Sequence, residues 1–112
     1  MSQLLPIEKR NAVLNRMAEL LEQERATIKT VNQQDLSNYS GDDLAMEKRL
    51  LVDDAKIDGM ILSLQQLFTQ EDPVGKVRFD FTHDNGLKIY NKTAAFGTIL
   101  IIYESRPDVT VE

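Results

Sequence analysis

The sequence has 112 residues, enough for one small domain, and its 42% hydrophobic and 28% charged residues are ordinary for a soluble globular protein. Its formal net charge of −5 and its scattered lysines and arginines argue against nucleic-acid binding, which requires a concentrated basic face. The absence of cysteine excludes disulfides, thiolate metal ligands and a cysteine nucleophile within these residues.

Neither export nor membrane insertion is indicated. The N-terminal stretch "MSQLLPIEKR" lacks the long apolar segment of a secretory signal. The longest apolar run, residues 99–103, is far too short to span a bilayer, so we expect a cytoplasmic protein with no membrane partner. The single histidine, His83, lies beside a turn with no second ligand nearby, so no metal site is expected.

Three helices are predicted within about residues 6–70. Pro6 suits the first turn of an amphipathic helix, and a second, looser apolar stripe over residues 26–40 should end near Ser40-Gly41. The break between these two helices is expected within residues 23–27. The third helix follows Asp53, a potential cap, and we expect its stripe to be core. The stripe consists of Ile57, Met60, Ile61, Leu64, Leu67 and Phe68.

A change to period two predicts a β-hairpin over about residues 76–93. Val77, Phe79 and Phe81 alternate with polar residues, and Asn85-Gly86 supplies the positive φ angles that a tight turn requires. A lone hairpin is only marginally stable, so its apolar face must pack against something. The sequence leaves two candidates open, helices of the same chain and a sheet edge of another subunit.

The run "TILIIYE", within residues 98–104, predicts a strand that is apolar on both faces, as in parallel sheets covered by helices. A parallel neighbour requires a crossover of about a dozen residues, and only eight residues follow Glu104. We therefore expect the chain to be the front piece of a larger α/β protein. Without the rest of that protein, the chain should self-associate or pack against a neighbouring chain.

Glu104, Ser105 and Arg106 would lie beyond the carboxyl end of that strand, where open α/β sheets bind ligands. Pro107 suits the entry to a helix with Asp108 in its first turn. Arg106 can clamp a phosphate or carboxylate, and the Ser105 hydroxyl can donate to an oxygen of the same ligand. The alternative is that Arg106 forms a surface ion pair with Glu104 or Asp108.

The segment "IYESRPDVTVE" closely resembles the start of the nucleotide-binding core in γ-glutamyl phosphate reductases, which belong to the aldehyde dehydrogenase superfamily. "EKRNAVLNRMAELLE", "KRLLVDDAKIDGM", "DPVGKV" and "NGLKI" match in order and spacing. The resemblance implies a partial α/β fold with N-terminal helices, a hairpin and the first strand of a Rossmann-like parallel sheet. Residues 1–112 would be the N-terminal part of a nucleotide-binding domain, with the hairpin as the oligomerisation arm of a homo-oligomer and the catalytic domain absent.

The resemblance also implies an activity, the NADPH-dependent reduction of L-glutamyl 5-phosphate to L-glutamate 5-semialdehyde with phosphate release in proline biosynthesis. In that family a catalytic-domain cysteine forms a thioester, so these residues should be inactive alone. The resemblance places Tyr103, Glu104, Ser105 and Pro107 against the cofactor, and Ser105 and Arg106 against the substrate or its phosphate. The wider superfamily has an oxyanion-binding asparagine where this sequence has Ser105.

Two other interpretations stand beside the reductase. The chain would be a non-catalytic helical and hairpin assembly module if no α/β continuation followed it. A bifunctional synthetase with a kinase domain is disfavoured, because Met1 directly precedes the reductase-like helices. In the family, the residues that choose between NADPH and NADH lie further along.

Overall fold

The computed structural model describes residues 5–112, which form a helical layer followed by an antiparallel β-hairpin. Its principal extents are 68 × 31 × 29 Å, so the molecule is elongated. The elements in chain order are α1 (Ile7–Gln23), α2 (Arg25–Asn38), α3 (Leu44–Leu50), α4 (Asp54–Thr69), β1 (Val77–Thr82), β2 (Lys88–Lys92) and a 3₁₀ helix (Pro107–Thr110).

The helices begin and end where local chemistry directs. As predicted, Asp53 caps α4. Its carboxylate accepts a 2.9 Å hydrogen bond from the Lys56 N–H, which would otherwise lack a partner. The predicted break between the first two helices lies at Glu24. Asp43 caps α3 by accepting from the Ala45 N–H at 2.9 Å. The helix α3 was not predicted, because its seven residues are too few to display a helical stripe.

The core lies mainly between α1 and α4, which pack against each other more extensively than any other pair of helices. The predicted stripe of α4 supplies its centre, since Ile57 and Leu64 are 0% exposed. Val52, Ile57 and Met60 form one buried cluster, against which other side chains pack. These partly buried residues are Leu21, Ile28, Ile61 and Val111. Helical periodicity therefore identified the centre of the core, although Leu67 of the predicted stripe is 43% exposed.

Asn32 is a buried polar residue that ties α2 to the connection between α3 and α4. Its side-chain nitrogen donates to the Leu50 carbonyl at 2.7 Å, and its side-chain oxygen accepts from the Val52 N–H at 2.8 Å. An unpaired buried amide would cost free energy, and here both of its polar atoms are used. The bonds thereby fix the start of α4 against α2.

The predicted hairpin is present, and its turn differs in detail. The His83 N–H donates to the Leu87 carbonyl at 2.6 Å, and the Gly86 N–H donates to the His83 carbonyl at 2.8 Å. Gly86 has a φ of +89°, whereas Asn85 does not have the predicted positive φ. A three-residue loop needs only one left-handed residue, so one glycine suffices. A register irregularity between Val77 and Phe79 also breaks the alternation at the start of β1.

Every residue of β1 and β2 is exposed. Phe81 pairs with Ile89 across the strands, yet Phe81 is 49% exposed, so the apolar side chains meet mainly each other and solvent. The described helices do not cover this face. The prediction that helices of the same chain cover it is therefore wrong for residues 5–112. Covering by a second subunit stays a prediction.

The strand predicted over residues 98–104 is not confirmed. Residues 93–103 have no regular secondary structure, and Leu100 and Ile102 are 84% and 87% exposed. The physical reason is that strand geometry requires a hydrogen-bonded neighbour, and the sheet of the described residues contains β1 and β2 alone. The Rossmann-like sheet is accordingly not found in this part of the protein.

Candidate functional site

The residues predicted to form the site, 103–107, lie together in one turn that leads into the 3₁₀ helix. Pro107 occupies its first turn, as predicted, because proline has a fixed φ and lacks the N–H that would be unpaired there. The Val109 N–H donates to the Arg106 carbonyl at 3.0 Å, and the Val111 N–H donates to the Asp108 carbonyl at 3.0 Å. These bonds fix the backbone on the C-terminal side of the turn.

The 3₁₀ helix anchors the turn to the helical layer. Val111 packs against the buried cluster of Val52, Ile57 and Met60. Pro107 lines a shallow cavity together with Val31 of α2 and other residues of that layer. The turn is thus held on a packed surface, although residues 93–103 before it have no regular structure.

Ser105 has a φ of +56°, which places it in the left-handed region. Among non-glycine residues this conformation is uncommon, and it costs about 1–3 kcal/mol where the surroundings enforce it. Ser105 is partly buried, whereas Glu104 and Arg106 on either side are exposed. The backbone therefore turns sharply between two charged side chains.

The Arg106 guanidinium forms no ion pair with any described residue. The alternative of a surface pair with Glu104 or Asp108 is thus absent from residues 5–112. An exposed guanidinium without a carboxylate partner retains its donors for an anionic ligand. This is the clearest chemical property of the turn.

One contributor to this turn was missed from the sequence. The Tyr103 and Thr110 hydroxyls are hydrogen-bonded to each other across seven positions of the chain. The two ends of the segment that contains Ser105 and Arg106 are thereby joined. No periodic pattern signals such a bond, because it depends on the reversal of the backbone at Ser105.

The densest charge cluster lies elsewhere and has a structural role. Arg25 pairs with Glu22 at 2.6 Å, with Asp58 at 2.5 Å and with Asp54 at 3.2 Å. Lys29 pairs with Asp54 at 2.8 Å. The hydrogen bond from Lys29, and to a smaller extent that from Arg25, holds the pKa of the Asp54 carboxyl below its ordinary value of 3.8. These ion pairs link the end of α1 and the start of α2 to the start of α4, and each of the two cations has a carboxylate partner.

A second ion pair fixes the connection that leads into the hairpin. Arg10 of α1 donates to Asp72 at 2.8 Å, and the Val74 N–H donates to the same carboxylate at 3.1 Å. Arg10 first, and the Val74 N–H second, lower the pKa of Asp72. The base of the hairpin is therefore tied to the helical layer, although its strands extend into solvent.

Neither a metal centre nor a membrane segment occurs in the described part of the chain. No group of three or more histidine, aspartate or glutamate side chains in residues 5–112 is arranged so that it could hold a metal ion. No helix in that range is long and apolar enough to cross a bilayer.

Comparisons with known proteins relate the chain to one group of enzymes, although no family model matches it. It is 40% identical over 114 aligned positions to the γ-glutamyl phosphate reductase of Hydrogenobaculum sp. (strain Y04AAS1), covering 100% of this chain and 26% of that protein. It is 39% identical over 105 positions to the γ-glutamyl phosphate reductase of Persephonella marina, covering 92% of this chain and 24% of that protein.

Solved structures give the same result. The crystal structure of γ-glutamyl phosphate reductase from Thermotoga maritima matches 96% of this chain and 27% of its own, with 34% identity and a TM-score of 0.79. The Saccharomyces cerevisiae γ-glutamyl phosphate reductase matches 96% of this chain and 28% of its own, with 33% identity and a TM-score of 0.81. The chain thus spans about a quarter of the length of these relatives.

Proposed function

Because this chain is a homologue of γ-glutamyl phosphate reductases over about a quarter of their length, we propose that it works as part of a longer enzyme of that activity. The reaction is the NADPH-dependent reduction of L-glutamyl 5-phosphate to L-glutamate 5-semialdehyde with release of phosphate, in proline biosynthesis. Similarity of both sequence and backbone over at least 90% of the chain carries the proposal.

Arg106 is the residue that supports an anionic substrate most directly. An acyl phosphate carries a phosphate leaving group whose charge must be neutralised, and a guanidinium matches phosphate oxygens with paired N–H donors. Arg106 is exposed and has no described carboxylate partner to compete with such a ligand. Ser105 would donate its hydroxyl to a carbonyl or phosphate oxygen of the same substrate.

Tyr103, Glu104, Ser105 and Pro107 would line the cofactor side of the turn. The exposed side chain of Tyr103 fits a nicotinamide cofactor in one respect, since it presents a flat aromatic surface beside hydrogen-bonding groups. The cofactor supplies the hydride when it is bound. These residues would contribute orientation only, and the nucleophilic cysteine would come from a catalytic domain outside this sequence.

The wider architecture belongs to the same proposal. Residues 1–112 would be the N-terminal part of a nucleotide-binding domain, in which residues 98–104 become a strand once the remaining sheet supplies neighbours. The exposed face of the hairpin would pack against a second subunit of a homo-oligomer. A cytoplasmic setting is the one expected for such a biosynthetic enzyme.

The test is an NADPH oxidation assay with glutamyl phosphate on the longer protein, with NADH and the 112-residue chain run beside it. Replacing Arg106 by Ala should raise KM for glutamyl phosphate about tenfold or more, because a hydrogen-bonded charge is lost. Arg49→Ala is the matched control, since Arg49 is an exposed arginine of α3 that forms no ion pair with a described residue and lies outside the hairpin. A longer protein that oxidises no NADPH would refute the proposed function, and an unchanged KM would remove Arg106 from the site.

A further inference from the structure

We propose that Thr110 is a positioning residue of this turn. Its hydroxyl, hydrogen-bonded to that of Tyr103, holds Ser105 and Arg106 in the conformation that receives the phosphate group of an acyl phosphate. This inference rests on the proposed function and deepens it, because it assigns a role to a side chain outside the residues 103–107.

The hydrogen bond between Tyr103 and Thr110 closes a short loop around the two residues that would contact the substrate. Closing a loop reduces the number of conformations available to the residues inside it. Free of the bond, residues 104–106 would be restrained only from their C-terminal side, where Pro107 begins the 3₁₀ helix. With the bond, both sides of the segment are held.

The conformation of Ser105 explains why restraint on both sides matters. Its φ of +56° is unfavourable for a residue with a Cβ atom, and such a conformation persists only where the surroundings determine it. If the bond between Tyr103 and Thr110 is lost, Ser105 can relax to a common backbone region. That relaxation would rotate the peptide that joins Ser105 to Arg106 and redirect the guanidinium.

Thr110 can act as a fixed point because of its neighbours in the chain. It ends the 3₁₀ helix, and the next residue, Val111, packs against the buried core cluster. The Val111 N–H also donates to the Asp108 carbonyl at 3.0 Å. Through Thr110, the phenol of Tyr103 is therefore tied to the packed helical layer.

In Arg106 the backbone is ordered, whereas the side chain is free to bind a ligand. The Arg106 carbonyl accepts from the Val109 N–H at 3.0 Å, so its backbone is fixed, while its guanidinium forms no ion pair with a described residue. Because the backbone of Arg106 is already ordered, less conformational freedom is lost when its guanidinium binds an anion. Thr110 would contribute to affinity for the phosphate group through this pre-organisation and need not touch the substrate.

The experiment compares three variants of the longer protein in the NADPH oxidation assay. Thr110→Val removes the hydroxyl at nearly constant volume, Thr110→Ser keeps it, and Tyr103→Phe removes its partner. Thr110→Val should raise KM for glutamyl phosphate about three- to tenfold with kcat nearly unchanged, as expected for lost uniform binding. Tyr103→Phe should raise the same KM by a similar factor, because it removes the other half of the bond. Thr110→Ser should restore the parent KM. The double variant should be no worse than either single variant, because both remove one interaction.

Calorimetric binding of inorganic phosphate gives a readout that does not require turnover. Thr110→Val should weaken phosphate binding by the same factor as it raises KM, and Thr110→Ser should not. If the parent oxidises no NADPH, the proposed function fails, while the phosphate titration still tests Thr110. The positioning role is overturned by equal phosphate affinity in the parent and Thr110→Val, by absence of phosphate binding in the parent, or by additive effects in the double variant. If Thr110→Val does not fold, the phosphate affinity of Tyr103→Phe, measured without NADPH, decides instead.

Discussion

The helical layer and the segment from β1 to residue 103 respond differently to the same kind of sequence signal. In the helical layer, the apolar stripe of α4 is buried, and Ile57 and Leu64 are inaccessible to solvent. In the second segment, Phe79 and Leu100 are largely exposed, although their sequence patterns are typical of packed strands. The difference is the location of the partner. The helices find theirs within the described residues, and the apolar strand and hairpin residues do not.

An apolar sequence pattern therefore predicts that a face will be buried, but it does not identify the part of the protein that buries it. Large contiguous apolar surfaces are rare on independent proteins, because they promote association. The chain spans about a quarter of its relatives' length, and in our account the missing cover comes from the rest of a longer protein or from a second subunit.

The largest expected effect is a loss of stability when an apolar side chain is truncated in the helical layer, compared with the same truncation in the hairpin. Ile57→Ala should reduce the free energy of unfolding by about 2–5 kcal/mol, because it leaves a cavity in a packed core. Ile89→Ala on the hairpin should cost less than about 1 kcal/mol, since that side chain is already partly in solvent. Urea unfolding followed by circular dichroism measures both. Equal losses would contradict the division into a packed and an uncovered region.

A smaller effect is expected from the buried amide in the helical layer. Asn32→Ala leaves the Val52 N–H and the Leu50 carbonyl without this partner, which should cost about 1–3 kcal/mol. Gln33→Ala, an exposed position on the same helix, is the control and should change stability little. Thermal unfolding of the two variants gives the comparison. A loss no larger than that of the control would mean that Asn32 does not fasten α2 to α4.

The smallest expected effect is a dependence of stability on pH. Asp54 and Asp72 have lowered pKa values in the folded chain, so their contribution is fully present above their ordinary value of 3.8 and is lost as the pH falls through the lowered values. Stability should therefore decrease on acidification below about pH 4. Asp54→Asn should reduce this dependence, because the pairs with Lys29 and Arg25 lose their charge.

The control for that titration is Asp42→Asn, since Asp42 is exposed and forms no ion pair with any described residue. Urea midpoints at pH 7 and pH 3 should show the parental loss in the control and a smaller loss in Asp54→Asn. Identical pH dependence in the two variants would show that the ion pairs around Arg25 contribute nothing measurable.

Local signals account for the parts of the fold that the sequence predicted. The stripe and cap of α4 and the turn glycine of the hairpin act over a few neighbouring residues, so the sequence alone reveals them. The short helix α3 carried too little periodicity to be found. The strand over residues 98–104 was predicted from its composition, but a strand also requires a neighbour, which no single segment can supply.

The candidate site was predictable to a similar degree. The sequence placed Ser105 and Arg106 after the predicted strand and Pro107 at a helix entry, and the structure has a bend at residues 104 and 105 before the 3₁₀ helix. The motif did not reveal the left-handed φ of Ser105 or the bond between Tyr103 and Thr110, because both depend on how the 3₁₀ helix docks on the helical layer. Tertiary placement is what residue patterns leave undetermined.

Amide hydrogen exchange in the 112-residue chain and in the longer protein tests the central claim most directly. Our account predicts that amides of α4 are protected in both, since the core of that helix lies within this chain. It predicts that amides of residues 99–102 exchange rapidly in the 112-residue chain and slowly in the longer protein, where a neighbouring strand would accept their hydrogen bonds. Rapid exchange of residues 99–102 in both would contradict it.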